Sequence, residues 1–127
     1  MPSAITHYQQ AQANLGLHEQ LVRQHQYPDW ALTVLFYAAL HYIDACLHPS
    51  DPPDHAQRNS YIRRDSSLRS IYPQYRVLFE KSLDARYECY DPKPEELTSF
   101  KEDQFGAIES HLLPIMRAKG VIPFGFH

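Results

Sequence analysis

The chain has 127 residues, 43% of them hydrophobic, and a formal charge of −3 at pH 7, which suits one domain with its own core. The chain has no excess of basic residues, which argues against binding of nucleic acid through overall charge. The two cysteines lack metal-ligand spacing, and no signal peptide or membrane-spanning stretch stands out, so we expect a cytoplasmic protein with no cofactor and no membrane contact.

Two long helices are predicted in the first part of the chain. Helical spacing of apolar residues, with helix-favouring Ala and Gln, predicts a first helix from Ala4 to Gln26. Pro28 cannot extend that helix, and Asp29 can cap the next one. The second helix, from about Trp30 to Leu47, is apolar on nearly all sides, as is typical of a central helix. Its predicted inward stripe is Trp30, Val34, Tyr37, Ala38, His41 and Ala45.

Proline-rich loops divide the rest of the chain. After the loop from His48 to Asp54, we expect a third helix over residues 55–88 that is broken between 65 and 72. The last helix is expected over residues 94–119, with a kink at Pro114 and a stop at Gly120. These elements predict an all-α, four-helix up-and-down bundle as one domain over residues 1–119, followed by a tail over 120–127.

Common catalytic motifs, such as a phosphate-binding glycine loop or a zinc-protease HExxH, do not occur. What remains is a polar ridge on the second helix, at spacings that align four side chains along one side. A buried aspartate on this ridge needs a partner, and the segments His55-Ala-Gln-Arg58 and Arg86-Tyr87 offer arginines. The ridge consists of Tyr37, His41, Asp44 and His48.

Three interpretations of the polar ridge stay open. In the structural one, Asp44 pairs with Arg58 or Arg86, and His41 donates a hydrogen bond to Asp44. In the second, His41, His48 or His55 moves protons while Arg58 holds a phosphate in a cleft for RNA chemistry. In the third, His41, Asp44 and His48 bind a divalent metal ion, although this spacing is not a strong ligand pattern.

A cluster of arginines follows the loop from His48 to Asp54. Five arginines lie within residues 58–76 of an otherwise acidic chain. We favour the interpretation that they form a solvated helix face over the interpretation that they form a binding patch. They are Arg58, Arg63, Arg64, Arg69 and Arg76.

Several segments resemble the HEPN superfamily of small helical-bundle proteins. The first is Trp-Ala-Leu-Thr-Val-Leu-Phe-Tyr-Ala-Ala-Leu-His-Tyr-Ile-Asp-Ala over residues 30–45. The others are Asp-His-Ala-Gln-Arg-Asn over 54–59, Tyr75 with Leu78, and Ser-Leu-Asp-Ala-Arg-Tyr over 82–87. With the loops between them, these segments cover residues 5–116.

The resemblance implies a four-helix bundle that often dimerises and that works in toxin–antitoxin modules, phage defence or RNA processing. Many family members are metal-independent ribonucleases in which four to six residues separate an arginine from a following histidine. No arginine of this chain has a histidine at that distance, so that motif assigns no residue here. His55 and Arg58, in the reverse order, and His41 are substitute catalytic candidates, with Tyr37, Asp44, Arg86 and Tyr87 as a polar network around them.

We therefore expect a HEPN-like, homodimerising domain of an RNA-linked, toxin–antitoxin or phage-defence system. RNA or a nucleotide is its candidate ligand, and a protein encoded nearby is its candidate partner. If the chain is an enzyme, a metal-independent ribonuclease is expected. The alternatives are a non-catalytic scaffold or partner-binding bundle and a metal-dependent enzyme. The RNA-linked module and the non-catalytic scaffold differ in whether His55 and Arg58 line an open cleft or lie buried against Asp44.

Overall fold

The computed structural model describes residues 2–122, within which no β-strand occurs, and 78% of the chain is helical. The predicted all-α class is confirmed. A 3-10 turn at Arg69–Ile71 leads into α4, and a π-helical stretch at Phe100–Phe105 joins α5 to α6. With α5 and α6 counted as one helix, the six α-helical segments make five helices. The helices are α1 (Ala4–Arg23), α2 (Pro28–Leu47), α3 (His55–Arg64), α4 (Tyr72–Tyr87), α5 (Pro94–Ser99) and α6 (Gly106–Ala118).

Local side-chain chemistry explains where several helices begin and end. The Ser3 hydroxyl accepts the Thr6 N–H at 3.1 Å before α1, and Asp54 accepts the Gln57 N–H at 2.8 Å before α3. Gly120 follows α6 with φ +74°, and the Val121 N–H closes back on the Met116 carbonyl at 2.9 Å. This is a Schellman motif, in which a glycine adopts the left-handed conformation that other residues avoid.

The C-terminal boundary of the packed region lies beyond the predicted one. Val121 and Ile122, which the sequence analysis assigned to the tail, are buried in the core. The turn at Gly120 directs the chain back onto the bundle, so the packed region continues past residue 119. The rest of the predicted tail, residues 123–127, lies outside the described range.

The central helix is α2, which contacts α1, α4, α5, α6 and the π-helical stretch. By length and composition it could also cross a membrane, contrary to the expectation from the sequence, but 78% of its apolar window is buried inside the protein. Its burial in a helical core accounts for this composition.

The inward stripe predicted for α2 was wrong at Trp30, whose surface is 54% exposed, and Val34, Tyr37 and His41 are only partly buried. Leu32, Leu35, Phe36 and Ile43 are fully buried instead. The helix begins at Pro28 rather than Trp30, so Trp30 lies in its first turn, where neighbours cover fewer sides. A helix that is apolar all round gives no internal signal of which side faces out.

The predicted break in the third helix corresponds to two helices, α3 and α4. Asp65 stabilises the turn between them, because one carboxylate oxygen accepts both the N–H and the hydroxyl of Ser67, at 2.8 and 2.6 Å. In the last helix, α6 continues through Pro114 to Ala118. Its irregular part is the π-helical stretch, which the sequence analysis did not predict.

The directions of the helices follow from side-chain contacts. His7 meets His41 and His18 meets Ala31, so α1 and α2 are antiparallel. Asp29 and Thr33 at the start of α2 line one groove with Ala85–Tyr87 at the end of α4. Phe36, further along α2, packs on Tyr75 and Phe79, so α4 runs antiparallel to α2. Tyr42 contacts Phe105 and Glu109, and Lys119 donates to the Cys46 carbonyl, so α6 runs parallel to α2.

Candidate functional site

An ion pair between α2 and α3 lies at the centre of the candidate site. Arg58 donates from Nε to one oxygen of Asp44 at 2.7 Å and from a terminal nitrogen to the other at 3.0 Å. The two side chains are 10% and 6% exposed. Burial is the largest single effect and lowers the pKa of Arg58, but the hydrogen bonds and the charge of Asp44 act against it, and the pKa is raised above its ordinary value. This parallel, charge-assisted pairing occupies the guanidinium that was a candidate to hold phosphate.

His41, one turn before Asp44, pairs with a histidine that the sequence analysis missed. Its Nδ1 lies 3.0 Å from Nδ1 of His7 on α1, and the two rings stack. The expected hydrogen bond from His41 to Asp44 is therefore replaced by a contact with His7. Burial lowers the pKa of His41, and the charges of His7 and Arg58 lower it further, whereas Asp44 raises it. A neutral His41 imidazole is therefore favoured at this contact.

His55 and Arg58 do not share an open cleft. The His55 ring packs against Phe36 and Phe79, with centroids 6.0 and 5.3 Å away. Its Nδ1 is buried and has no hydrogen-bond partner in the structure. Burial, followed by the charges of Arg58 and Arg86, lowers its pKa. A neutral, half-buried imidazole against two phenyl rings is poorly placed to exchange protons with a ligand in solution.

A second polar group surrounds Arg86 on α4. Arg86 donates to the Tyr37 hydroxyl at 2.6 Å and to Ser82 Oγ at 3.3 Å. Its guanidinium also lies over the rings of Phe36, Tyr37 and Tyr87. The predicted network of Tyr37, Asp44, Arg86 and Tyr87 is thus divided, since the hydrogen bonds of Asp44 go to Arg58.

His48, the last member of the predicted polar ridge, caps the end of α2. Its carbonyl accepts from Lys119 Nζ at 3.5 Å. The cluster of potential metal ligands in the described residues contains His41 and Asp44 together with His7, not His48. His41 and His48 lie seven residues apart, a rise of about 10 Å along the helix, whereas Nδ1 of His7 lies 3.0 Å from Nδ1 of His41.

Two grooves, one apolar and one partly polar, lie beside Trp30, at the end of the bundle away from His41. On one side of the indole lies a groove of about 320 Å³, and on the other a groove of about 240 Å³. Tyr27 and Tyr87 are 62% and 74% exposed beside them. We call this surface the Trp30 face; it comprises Leu17, Leu21, Tyr27, Asp29, Trp30, Thr33, Val34, Ala85, Arg86 and Tyr87.

The chain matches no protein-family model, no curated protein and no solved structure. The HEPN resemblance therefore depends on the sequence pattern alone.

The arginines of residues 58–76 divide into two groups. Arg58 is buried, while Arg63, Arg64, Arg69 and Arg76 are exposed. Arg63 lies over the ring of Tyr72, and Arg64 over the ring of Tyr61. Arg76 pairs with Glu80 at 2.8 Å. The exposed arginines thus combine charge with neighbouring aromatic rings near the turn between α3 and α4.

Proposed function

We propose that this chain is a HEPN-like helical module that self-associates through the Trp30 face and has no catalytic activity of its own. The observation that carries the proposal is the combination of an exposed Trp30 with two neighbouring grooves, one almost wholly apolar and one partly polar. Apolar patches of this kind mark interaction surfaces in globular proteins. Tryptophan and tyrosine are also the residues that contribute most binding energy at interfaces.

A second copy of the chain is the occupant that suits this surface. A two-fold interface requires one patch that is complementary to itself. The Trp30 face offers a protruding indole next to grooves of its own, so the indole of each copy can enter a groove of the other. The groove that Leu17, Leu21 and Val34 line is almost wholly apolar, which suits an indole ring.

The proposed architecture is a four-helix up-and-down bundle of HEPN type. The alternating directions of α1, α2, α4 and the helix from α5 to α6 support it, with α3 as a short connection before α4. The proposed setting in an RNA-linked, toxin–antitoxin or phage-defence system, in the cytoplasm, depends on the sequence resemblance.

We propose that the chain is not catalytic because the contacts of the candidate catalytic residues leave them unable to act on RNA. The guanidinium of Arg58 is held by both oxygens of Asp44, and the imidazole of His55 packs against two phenyl rings. A ribonuclease of the proposed type needs a free cation for phosphate and a proton-transfer group beside it. Purified protein should therefore leave single-stranded RNA intact, and cleavage that His55→Ala abolishes would contradict this proposal.

The self-association can be measured by light scattering and by intrinsic fluorescence. We expect a mass near twice 14.8 kDa at tens of micromolar. Because Trp30 is the only tryptophan, its emission should shift to shorter wavelength as concentration rises. Trp30→Glu should give a monomer with unchanged helix content. Ile5→Glu is the matched control, since Ile5 is 50% exposed on α1 but distant from the Trp30 face.

A wild-type chain that is monomeric at 100 µM, or a Trp30→Glu variant that still dimerises, would refute the Trp30 face as the interface. Capture of a different protein by monomeric chain would instead support the partner-binding alternative.

RNA binding is a second candidate function, favoured by the exposed arginines beside Tyr61 and Tyr72. Arginine and aromatic side chains together hold single strands through phosphate contacts and base stacking. Fluorescence anisotropy with single-stranded RNA should show binding that weakens with salt and with the combined change Arg63→Ala and Arg64→Ala. The control is Arg117→Ala, an exposed arginine on α6. Equal binding by both variants would exclude this surface.

A further inference from the structure

Three side chains from two helices converge next to the buried ion pair. His7 lies on α1, and His41 and Asp44 lie one turn apart on α2. One donor atom from each, a ring nitrogen or a carboxylate oxygen, lies within 4.8 Å of the other two. This cluster is separate from the Trp30 face and from the residues discussed for RNA binding.

The Nδ1 atoms of the two imidazoles lie within a few tenths of an ångström of the separation that chelation requires. Their Nδ1 atoms are 3.0 Å apart. Zinc–nitrogen bonds of about 2.0–2.1 Å at tetrahedral angles place two ligand nitrogens about 3.4 Å apart. A shift of a few tenths of an ångström would therefore admit an ion between the rings. Both Nδ1 atoms then carry lone pairs, and each ring keeps its proton on Nε2.

Asp44 can serve Arg58 and a metal ion together. An ionised carboxylate has about four lone-pair positions, of which Arg58 uses two, one on each oxygen. The remaining positions stay available to a cation. Arg58 would then orient the carboxylate, as hydrogen-bonded partners of metal ligands commonly do. Its positive charge lowers the affinity of the site, so we expect weaker binding than at an all-anionic site.

The burial of the cluster suits a bound ion. His7 is 8% and Asp44 5% exposed, whereas His41 is partly exposed and offers a path from solvent. Two imidazoles and one carboxylate favour Zn²⁺, Ni²⁺ or Cu²⁺ over Mg²⁺ and Ca²⁺, which prefer oxygen ligands.

We propose that His7, His41 and Asp44 bind one divalent transition-metal ion, with Zn²⁺ as the reference case, and that this ion joins α1 to α2. The site differs from the predicted combination of His41, Asp44 and His48, because His7 from another helix takes the place of His48.

The test is calorimetric titration of tag-free, chelator-treated protein with Zn²⁺ at pH 7.5. We expect one ion per chain, and visible absorption when Co²⁺ replaces Zn²⁺. His7→Ala and His41→Ala should each weaken binding at least tenfold. Mg²⁺ and Ca²⁺ should not compete.

Two further histidines provide matched controls, His48→Ala at the end of α2 and His25→Ala on the exposed corner after α1. Both variants should bind Zn²⁺ like wild type. Circular dichroism checks the fold of each variant, and His7→Asn replaces His7→Ala if that chain does not fold. Absence of binding by wild type, equal binding by the His7 and His41 variants, or loss of binding in His48→Ala would each overturn the proposal.

Discussion

Arg58 and Asp44 form two parallel hydrogen bonds, of 2.7 and 3.0 Å, in the interior between α2 and α3. Removal of one partner leaves the other charge buried and unpaired, which costs about 3–5 kcal/mol. We therefore expect Asp44→Ala to lower the free energy of unfolding by about that amount, as measured by urea denaturation. Arg58→Met should have a similar effect.

The double variant Asp44→Ala with Arg58→Met should recover part of this loss, because no uncompensated charge remains. The control is Arg76→Ala, whose partner Glu80 lies with it on the surface of α4. Exposed pairs contribute at most about 1 kcal/mol. Single variants as stable as the Arg76→Ala protein would show that the pair is not buried in solution.

Protonation of buried histidines should destabilise the protein in mild acid. Burial is the largest of the effects that lower the pKa of His18, His41 and His55 below the ordinary value of 6.5. The unfolded chain then binds these protons more readily than the folded one. Their stabilising contribution is complete above pH 6.5 and is lost as the pH falls through the folded-state pKa values.

Urea midpoints measured between pH 7.5 and pH 5 should therefore decrease. His41→Asn should flatten this dependence, and His25→Asn, at an exposed position, should leave it unchanged. A midpoint that rises toward pH 5 would mean that the histidines are not held neutral by the fold.

The sequence predicts the positions of the helices better than it predicts the residues that meet at the candidate site. Proline and cap positions locate the helices to within a few residues, because those signals act locally. Contacts between helices have no such signal. His7 and His41 are 34 residues apart, and no spacing rule connects positions on two different helices.

The exposure of Trp30 illustrates the same limit. Apolar residues surround α2 on all sides, so periodicity alone could not show that its first turn lies at the edge of the bundle. Arg58 was identified as one of two possible partners of Asp44, since a buried carboxylate needs a cation. The choice between Arg58 and Arg86 depends on how α3 and α4 cross α2, which only the packed structure specifies.

The two cysteines should differ sharply in reactivity. Cys89 is exposed, whereas Cys46 is buried, and burial raises the pKa of the Cys46 thiol to about 12. Because the thiolate is the reactive species, a disulfide reagent at pH 8 should modify one thiol rapidly in native protein and two in guanidinium chloride. Cys89→Ser should remove the rapid phase. A rapid phase that persists in this variant would contradict the burial of Cys46.

The same substitution should have opposite effects at two glycines. Gly16 lies in the interior of α1 on an exposed side, and a Cβ there would meet nothing within 4 Å. Gly16→Ala should stabilise the protein by about 0.5–1 kcal/mol, because alanine loses less backbone entropy in a helix.

Gly120 also has space for a Cβ, but its φ of +74° is strained for any L-residue with a side chain. Gly120→Ala should therefore destabilise the protein by about 1 kcal/mol, and Gly120→Asn by less, because asparagine tolerates this conformation better. Since Val121 and Ile122 pack into the core just after this turn, the loss should appear in global unfolding rather than in local fraying. Thermal denaturation of the three variants in parallel measures both signs. A Gly120→Ala protein that melts above wild type would show that the chain does not make the left-handed turn that carries Val121 back to the bundle.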